Sequence, residues 1–152
     1  MKMIVASILL FFLAQHPAVA QETAWSDITD KLAIQKLIQS FPAALKGADV
    51  SNVLPLFTPD AVIMPNNAPA MKGSQQIKGL FETLFKKMSI DVQYTVDEII
   101  IDGKYGYIRT HSKGNNVVRA SGENMPIDNK ELFVVHRDNE EWKITHYIGN
   151  HN

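Results

Sequence analysis

Along the first half of the chain apolar residues recur at helical spacing; along the second half they alternate. Ile28, Leu32, Ile34, Leu37, Ile38, Phe41 and Leu45 fall near every third or fourth position, which predicts a first helix over 27–46. Residues 21–26 read as a loose leader before it. Ser26 or Asp27 would cap it, Pro42 would kink its last turn, and Gly47 would end it. Asp49 is placed to cap a short second helix carrying Val53, Leu54 and Phe57. Thr58-Pro59-Asp60 reads as a turn, 61–64 as a short apolar strand and 65–72 as a loop rich in Pro and Asn. In that turn Asp60 would bond local backbone rather than act as a catalytic carboxylate. Ser74 would cap a third helix running to Lys87, with Ile77, Leu80, Phe81, Leu84 and Phe85 as its apolar face. Lys86 and Lys87 would complement the dipole at its end.

From residue 90 the period falls toward two. A long strand with imperfect alternation is predicted over 90–101, and Asp102-Gly103 signals a hairpin. Strands follow over 105–112, 117–123, 131–137 and 142–150. Between them lie a turn at 113–116, a loop at 125–129 and a turn at 138–141. Helices first and a strand meander afterwards predict an α+β domain with its helices on one face of the sheet.

The first twenty residues read differently. Lys2 is followed by an apolar run from Ile4 to Leu13 and by the small-x-small sequence Ala18-Val19-Ala20. The run is too short to span a bilayer. Residues 1–20 are therefore expected to be a cleaved export signal, with a single domain over 21–152 in the periplasm or outside the cell and no membrane anchor. Hydrophobic residues make up 45% of the chain and charged ones 20%, a balance suited to a packed core. A net charge of −1 argues against a nucleic-acid partner. The absence of Cys excludes disulfides, thiolate metal sites and a cysteine nucleophile.

Candidate chemistry concentrates on the strands. On 105–112, Tyr105, Tyr107, Arg109 and His111 share one face; Gly106, Ile108, Thr110 and Ser112 share the other. Arg119 would lie on the next strand, and Trp142, Ile144, His146 and Ile148 on one face of the last. Inward-pointing Arg109 and Arg119 would line a cleft with Tyr107, His111 and His146 and favour an anion, because the guanidinium fork suits carboxylate or phosphate. Alternatively, both arginines lie on a solvated face, paired with acids such as Glu123 or Glu131. His111 and His146 are the natural acid–base candidates, since imidazole titrates near neutrality. Glu131 would orient one of them and Tyr107 would donate a hydrogen bond. His146 and His151 have no carboxylate cluster beside them, so no metal or other cofactor is expected.

Several segments in order resemble the nuclear-transport-factor-2-like superfamily, also called SnoaL-like or ketosteroid-isomerase-like. They are Ala48-Asp49 through Leu56-Phe57-Thr58-Pro59-Asp60-Ala61-Val62, then Gly73-x-x-x-Ile77, Phe133 to Asp138, and Trp142 to Tyr147. Within it, Tyr107-Ile108-Arg109, Arg119, Glu131 and His136-Arg137 are similar to bacterial relatives of the calcium/calmodulin-dependent kinase II association domain. The resemblance implies a cone-shaped α+β barrel, three helices packed on a strongly curved, mainly antiparallel sheet. It further implies a basic pocket between helices and sheet, and self-association into a dimer or larger oligomer. Ketosteroid isomerases place a Tyr on helix one and an Asp just after the first strand. Here helix one has no Tyr and Met64-Pro65 follows the strand, so that chemistry is not expected. Epoxide hydrolases of the superfamily carry Arg-x-Asp where this chain has Arg109-Thr110-His111. The resulting expectation is an exported domain that binds a small acidic or amphipathic ligand through Arg109 and Arg119. The alternatives are a cofactor-independent lyase, isomerase or hydrolase with a histidine base, and an oligomerisation or interaction domain.

Overall fold

The computed structural model describes residues 18–152, with side chains from residue 27 onward. The expected export signal therefore lies outside the described residues except for 18–20, which already belong to the first helix. That helix, α1 (Ala18–Gly47), starts earlier than the periodicity predicts, and residues 21–26 are helical rather than a loose leader. No Gly or Pro interrupts 18–41, so nothing in the sequence stops the helix there. Its buried stripe is Ile34, Leu37, Ile38, Phe41 and Leu45; Ile28 and Leu32, expected in the same stripe, are exposed. The helix runs through Pro42, and the left-handed residue that ends it is Ala48 (φ 51°), whose N–H returns to Leu45 O.

Asp49 caps α2 (Val50–Val53) by accepting from Ser51 N at 2.8 Å, as expected. A 3₁₀ turn, Leu54–Leu56, leads into β1 (Phe57–Met64). Thr58-Pro59-Asp60 is thus the irregular start of a strand and not a turn, with the register shifting between Phe57 and Val62. The two-residue β2 (Met71–Lys72) pairs with β1. Helix α3 (Gly73–Lys87) is not capped by Ser74, whose hydroxyl instead donates to Pro59 O. The Gln76 side chain accepts from Lys72 N at the helix start.

Four long strands complete a six-stranded sheet in the order β2-β1-β6-β5-β4-β3: β3 (Met88–Asp102), β4 (Tyr105–Val118), β5 (Asn124–Asp138) and β6 (Glu141–His151). All pairings are antiparallel except β1 with β6. The predicted turn at 113–116 and loop at 125–129 are strand. Lys113-Gly114-Asn115-Asn116 has the composition of a turn, but Gly114 serves a close approach: a Cβ there would collide with the Asp91 carbonyl oxygen of β3. The reversal falls at Arg119–Ser121 instead. The β5–β6 turn forms where expected, with Asn139 and Glu140 both at positive φ.

Two irregularities decide which residues face the helices. One lies between Val96 and Glu98 on β3, the other on β6 opposite Val134 and Val135. Each adds one residue to its strand, so the inward set changes parity. On β6 Trp142 and Ile144 are buried, and beyond Thr145 the inward role passes to Tyr147. The helices α1 and α3 cover the concave face of the sheet.

A polar clamp fastens α1 to the β5–β6 hairpin. The Asp30 carboxylate accepts from Arg137 Nη1 at 2.9 and 3.0 Å and from Trp142 Nε1 at 2.9 Å, while the guanidinium lies 5.6 Å from the Trp142 ring centroid. Removing the carboxylate strands two half-buried donors. Asp30→Ala is expected to cost about 2–3 kcal/mol, and Asp30→Asn, which keeps an acceptor for the indole, less. Denaturant unfolding checks both; a loss below about 0.5 kcal/mol for Asp30→Ala would show the clamp to be ornamental.

Candidate functional site

Inside the cone, the concave face is aromatic at its centre and polar toward the β4–β5 side. The Phe41 ring meets Phe57, Phe81, Tyr94, Phe133 and Tyr147 at centroid distances of 5.6–6.3 Å. Beside this cluster lies a chamber of about 150 Å³ lined by Phe41, Phe81, Leu84, Tyr94, Tyr147 and the polar trio Ser112, Asn116 and Asn129, among others. A second chamber of about 380 Å³ shares Phe81, Leu84, Asn116, Asn129 and Tyr147 with it and reaches the rim at Pro65, Asn66 and His151. The two form an inner seat and a mouth.

The polar side is built from three strands. Glu131 is 3% exposed, on the same face of β5 as Phe133 and Val135. Its carboxylate accepts from Thr110 Oγ1 at 2.7 Å and from Ser112 Oγ at 2.5 Å on the neighbouring strand. Burial pushes the Glu131 carboxyl up from its usual value, and the two hydroxyls only partly oppose that. The hydroxyls of Tyr94 and Tyr147 lie 3.3 Å apart. Burial drives Tyr94 well above its ordinary value and Tyr147 up to about 12, so both stay protonated hydrogen-bonding groups across the physiological range. Gly149 makes room for this arrangement: a Cβ there would sit 2.9 Å from the Tyr147 hydroxyl and 3.3 Å from Glu131 Cγ. The Oδ1 atoms of Asn116 and Asn129 are buried and have no hydrogen-bond partner among the described residues.

Of the residues singled out from the sequence, only Glu131 faces the interior. The pairing of faces on β4 is as predicted, but the inward set is Gly106, Ile108, Thr110 and Ser112. Tyr107, Arg109 and His111 therefore lie on the outer face. Arg109 pairs there with Asp97 (3.6 Å) and Glu98 (3.7 Å), and His111 Nδ1 lies 2.8 Å from Asp97 Oδ1. The solvated-face alternative holds for Arg109, with partners from β3 rather than Glu123 or Glu131. Arg119 sits in the β4–β5 turn, where its Nε donates to Phe85 O and Met88 O at the end of α3. It is exposed and lines a surface cleft with Glu82 and Lys86, outside the cone. His146 is turned outward by the β6 irregularity and touches Thr145 Oγ1 at 3.1 Å. Neither arginine lines the inner chamber or its mouth, nor does His111 or His146. Asp60 is exposed. Among the described residues no cluster of three His, Asp or Glu could hold a metal, and no helix is long and apolar enough to cross a membrane.

The residues that matter most here carried uneven signals. Tyr94 continues the alternation Ile90, Val92, Tyr94, and Glu131 shares the parity of Phe133 and Val135, so both were placeable from period two. Tyr147 depends on an irregularity that no residue announces. Asn116 and Asn129 lie in stretches whose composition reads as turn and loop.

The raised carboxyl of Glu131 has a measurable consequence. A folded pKa above the unfolded one gives stability that is complete below the usual carboxylate value and is lost as pH rises through the folded value. Glu131→Gln cannot titrate. Its stability relative to the unchanged protein should therefore improve as pH rises from 4 to 8, as thermal unfolding across that range will show; a gap independent of pH would contradict the assigned burial cost.

The sequence model of the SnoaL-like domain matches residues 38–147. No curated protein matches the chain. The fold is similar to that of a ketosteroid isomerase-like protein from Erwinia carotovora atroseptica, at 22% identity and a TM-score of 0.73 over 78% of this chain and 92% of that one. It is also similar to a nuclear transport factor 2-like superfamily protein from Salmonella enterica, at 20% identity and a TM-score of 0.74 over 82% and 92% of the two chains. A calcium/calmodulin-dependent protein kinase II association-domain-like protein from Xanthomonas campestris aligns at 17% identity and a TM-score of 0.66 over 78% and 85%. The helices packed on a curved open sheet, the shared fold and a family match across most of the chain lead to one conclusion: this protein belongs to the SnoaL-like family and has its nuclear-transport-factor-2-like cone fold.

Proposed function

We propose that the protein binds a small, uncharged, mainly apolar molecule inside the cone. The observation that carries this reading is the composition of the inner chamber: aromatic and aliphatic walls, a few hydrogen-bonding groups and no Lys or Arg. Such a mixture is the usual make-up of a small-molecule site. A carboxylate or phosphate would find no cation there and would meet the Glu131 side of the cone, so an acidic ligand held by Arg109 and Arg119 is not the reading the geometry supports. The signal-like residues 1–20 support a place of action outside the cytoplasm.

Self-association is a second part of the proposal, supported by the outer face of the sheet. Ile100, Tyr107 and Leu132 are 40–46% exposed there, on three neighbouring strands. Beside them, acidic Asp97 and Glu98 adjoin basic Arg109 and His111, a charge pattern that a second copy turned about a two-fold axis can complement. The association-domain-like neighbour from Xanthomonas campestris fits this reading.

Catalysis by His111 or His146 draws no support from their positions on the outer face. Proton transfer on a bound molecule would instead draw on the hydroxyls that line the chamber, those of Tyr94, Tyr147 and Ser112, the last hydrogen-bonded to the buried Glu131.

A thermal-shift comparison tests the binding reading. Neutral apolar compounds at 100 times their dissociation constant should add about 2.7 kcal/mol and raise the melting temperature by several degrees. Leu84→Trp, which fills the chamber, should abolish that shift. Stabilisation by benzoate or phosphate that disappears in Arg109→Ala would contradict it. For the assembly, light scattering should give at least a dimer, and Leu132→Glu should halve the mass; a monomeric unchanged protein would refute that part.

A further inference from the structure

We propose that the inner chamber seats a single aromatic ring carrying a hydrogen-bond donor, phenol being the simplest example. This rests on the reading that the cone binds a small neutral molecule, and it names the chemical class.

Size sets the first limit. A chamber of about 150 Å³ is the size at which an apolar cavity takes one benzene ring. The walls favour a flat aromatic guest: Phe81, Tyr94 and Tyr147 each meet Phe41 edge-on or tilted, and a further ring adds the same kind of contact.

The polar side sets the second limit. Asn116 and Asn129 line both the seat and its mouth, and the Oδ1 of each is buried without a partner among the described residues. A buried carbonyl that accepts nothing is costly, and two of them on adjoining strands are unmet acceptors that a donor on the guest can fill. Each carboxamide turns about a soft terminal torsion, so a donor on the guest can draw either oxygen toward it. Glu131 offers nothing to satisfy these groups, because its two oxygens are themselves acceptors engaged by Thr110 and Ser112. A guest with only acceptors would leave both asparagine oxygens unpaired, and an anion would add charge beside a buried carboxyl. A hydroxyl on an aromatic ring meets the size, wall and donor requirements together.

Titration of the whole chain with phenol, toluene and benzoate, followed by calorimetry, tests this. Phenol should bind at least as tightly as toluene although its hydroxyl must leave water, and benzoate should not bind. Asn116→Leu and Asn129→Leu should each weaken phenol about tenfold while leaving toluene unchanged or tighter. Preference for toluene over phenol in the unchanged protein, or asparagine variants that leave the phenol-to-toluene ratio alone, overturns the donor requirement while the small-molecule reading stands. The comparison in the unchanged protein holds even if a variant fails to fold. Failure of all three compounds to bind overturns both.

Discussion

At the centre of the cone, the ring of Phe41 touches rings from α3, β1, β3, β5 and β6. It is 1% exposed and comes from α1, the helix that closes the concave face. Edge-to-face packing at this one point ties the helical layer to the sheet, and the same ring forms a wall of the inner chamber. Packing and cavity are therefore not separate features. The sheet curves around a cluster of large flat groups that fill its centre and leave space beside it, where β4 and β5 contribute Ser112, Asn116 and Asn129 instead of bulk.

What the chamber can hold follows from strand parity. One added residue on β3 and one on β6 change which side chains point inward partway along each strand. On β6 the consequence is large: strict alternation would aim His146 at the cone, whereas the irregular strand aims Tyr147 there and turns His146 to the outer face. On β3 it places Asp97 and Glu98 outside, where they meet Arg109 and His111. The interior loses His146 and gains Tyr147 beside Tyr94; the exterior becomes a mixed apolar and ionic surface.

Much of this was legible in the residues. The helical stripe of α1, the cap at Asp49, the apolar face of α3 and the hairpin turn at Asn139-Glu140 all follow from local pattern and chemistry. The two faces of β4 were separable as well. What alternation alone could not decide was which face lies inside. The outer set, Tyr105, Tyr107, Arg109 and His111, holds the larger and more chemically suggestive side chains. The inner set owes its place to Ile108 packing in the core and to Thr110 and Ser112 satisfying a buried Glu131. A buried carboxylate needs such partners, and that pairing emerges only from the register of β4 against β5. Gly114 misled in the opposite sense, because a glycine required by close backbone approach has the same letter as one required by a turn.

The most direct test of a neutral site inside the cone is methyl-resolved NMR of the protein titrated with toluene. Methyl signals from Leu84, Ile90, Val92 and Ile127, which line the inner chamber, should be perturbed, and those from Ile100 and Leu132 on the outer face should not. Perturbations centred on Ile100 and Leu132, with the chamber methyls silent, would contradict it and move the binding surface to the outside of the sheet.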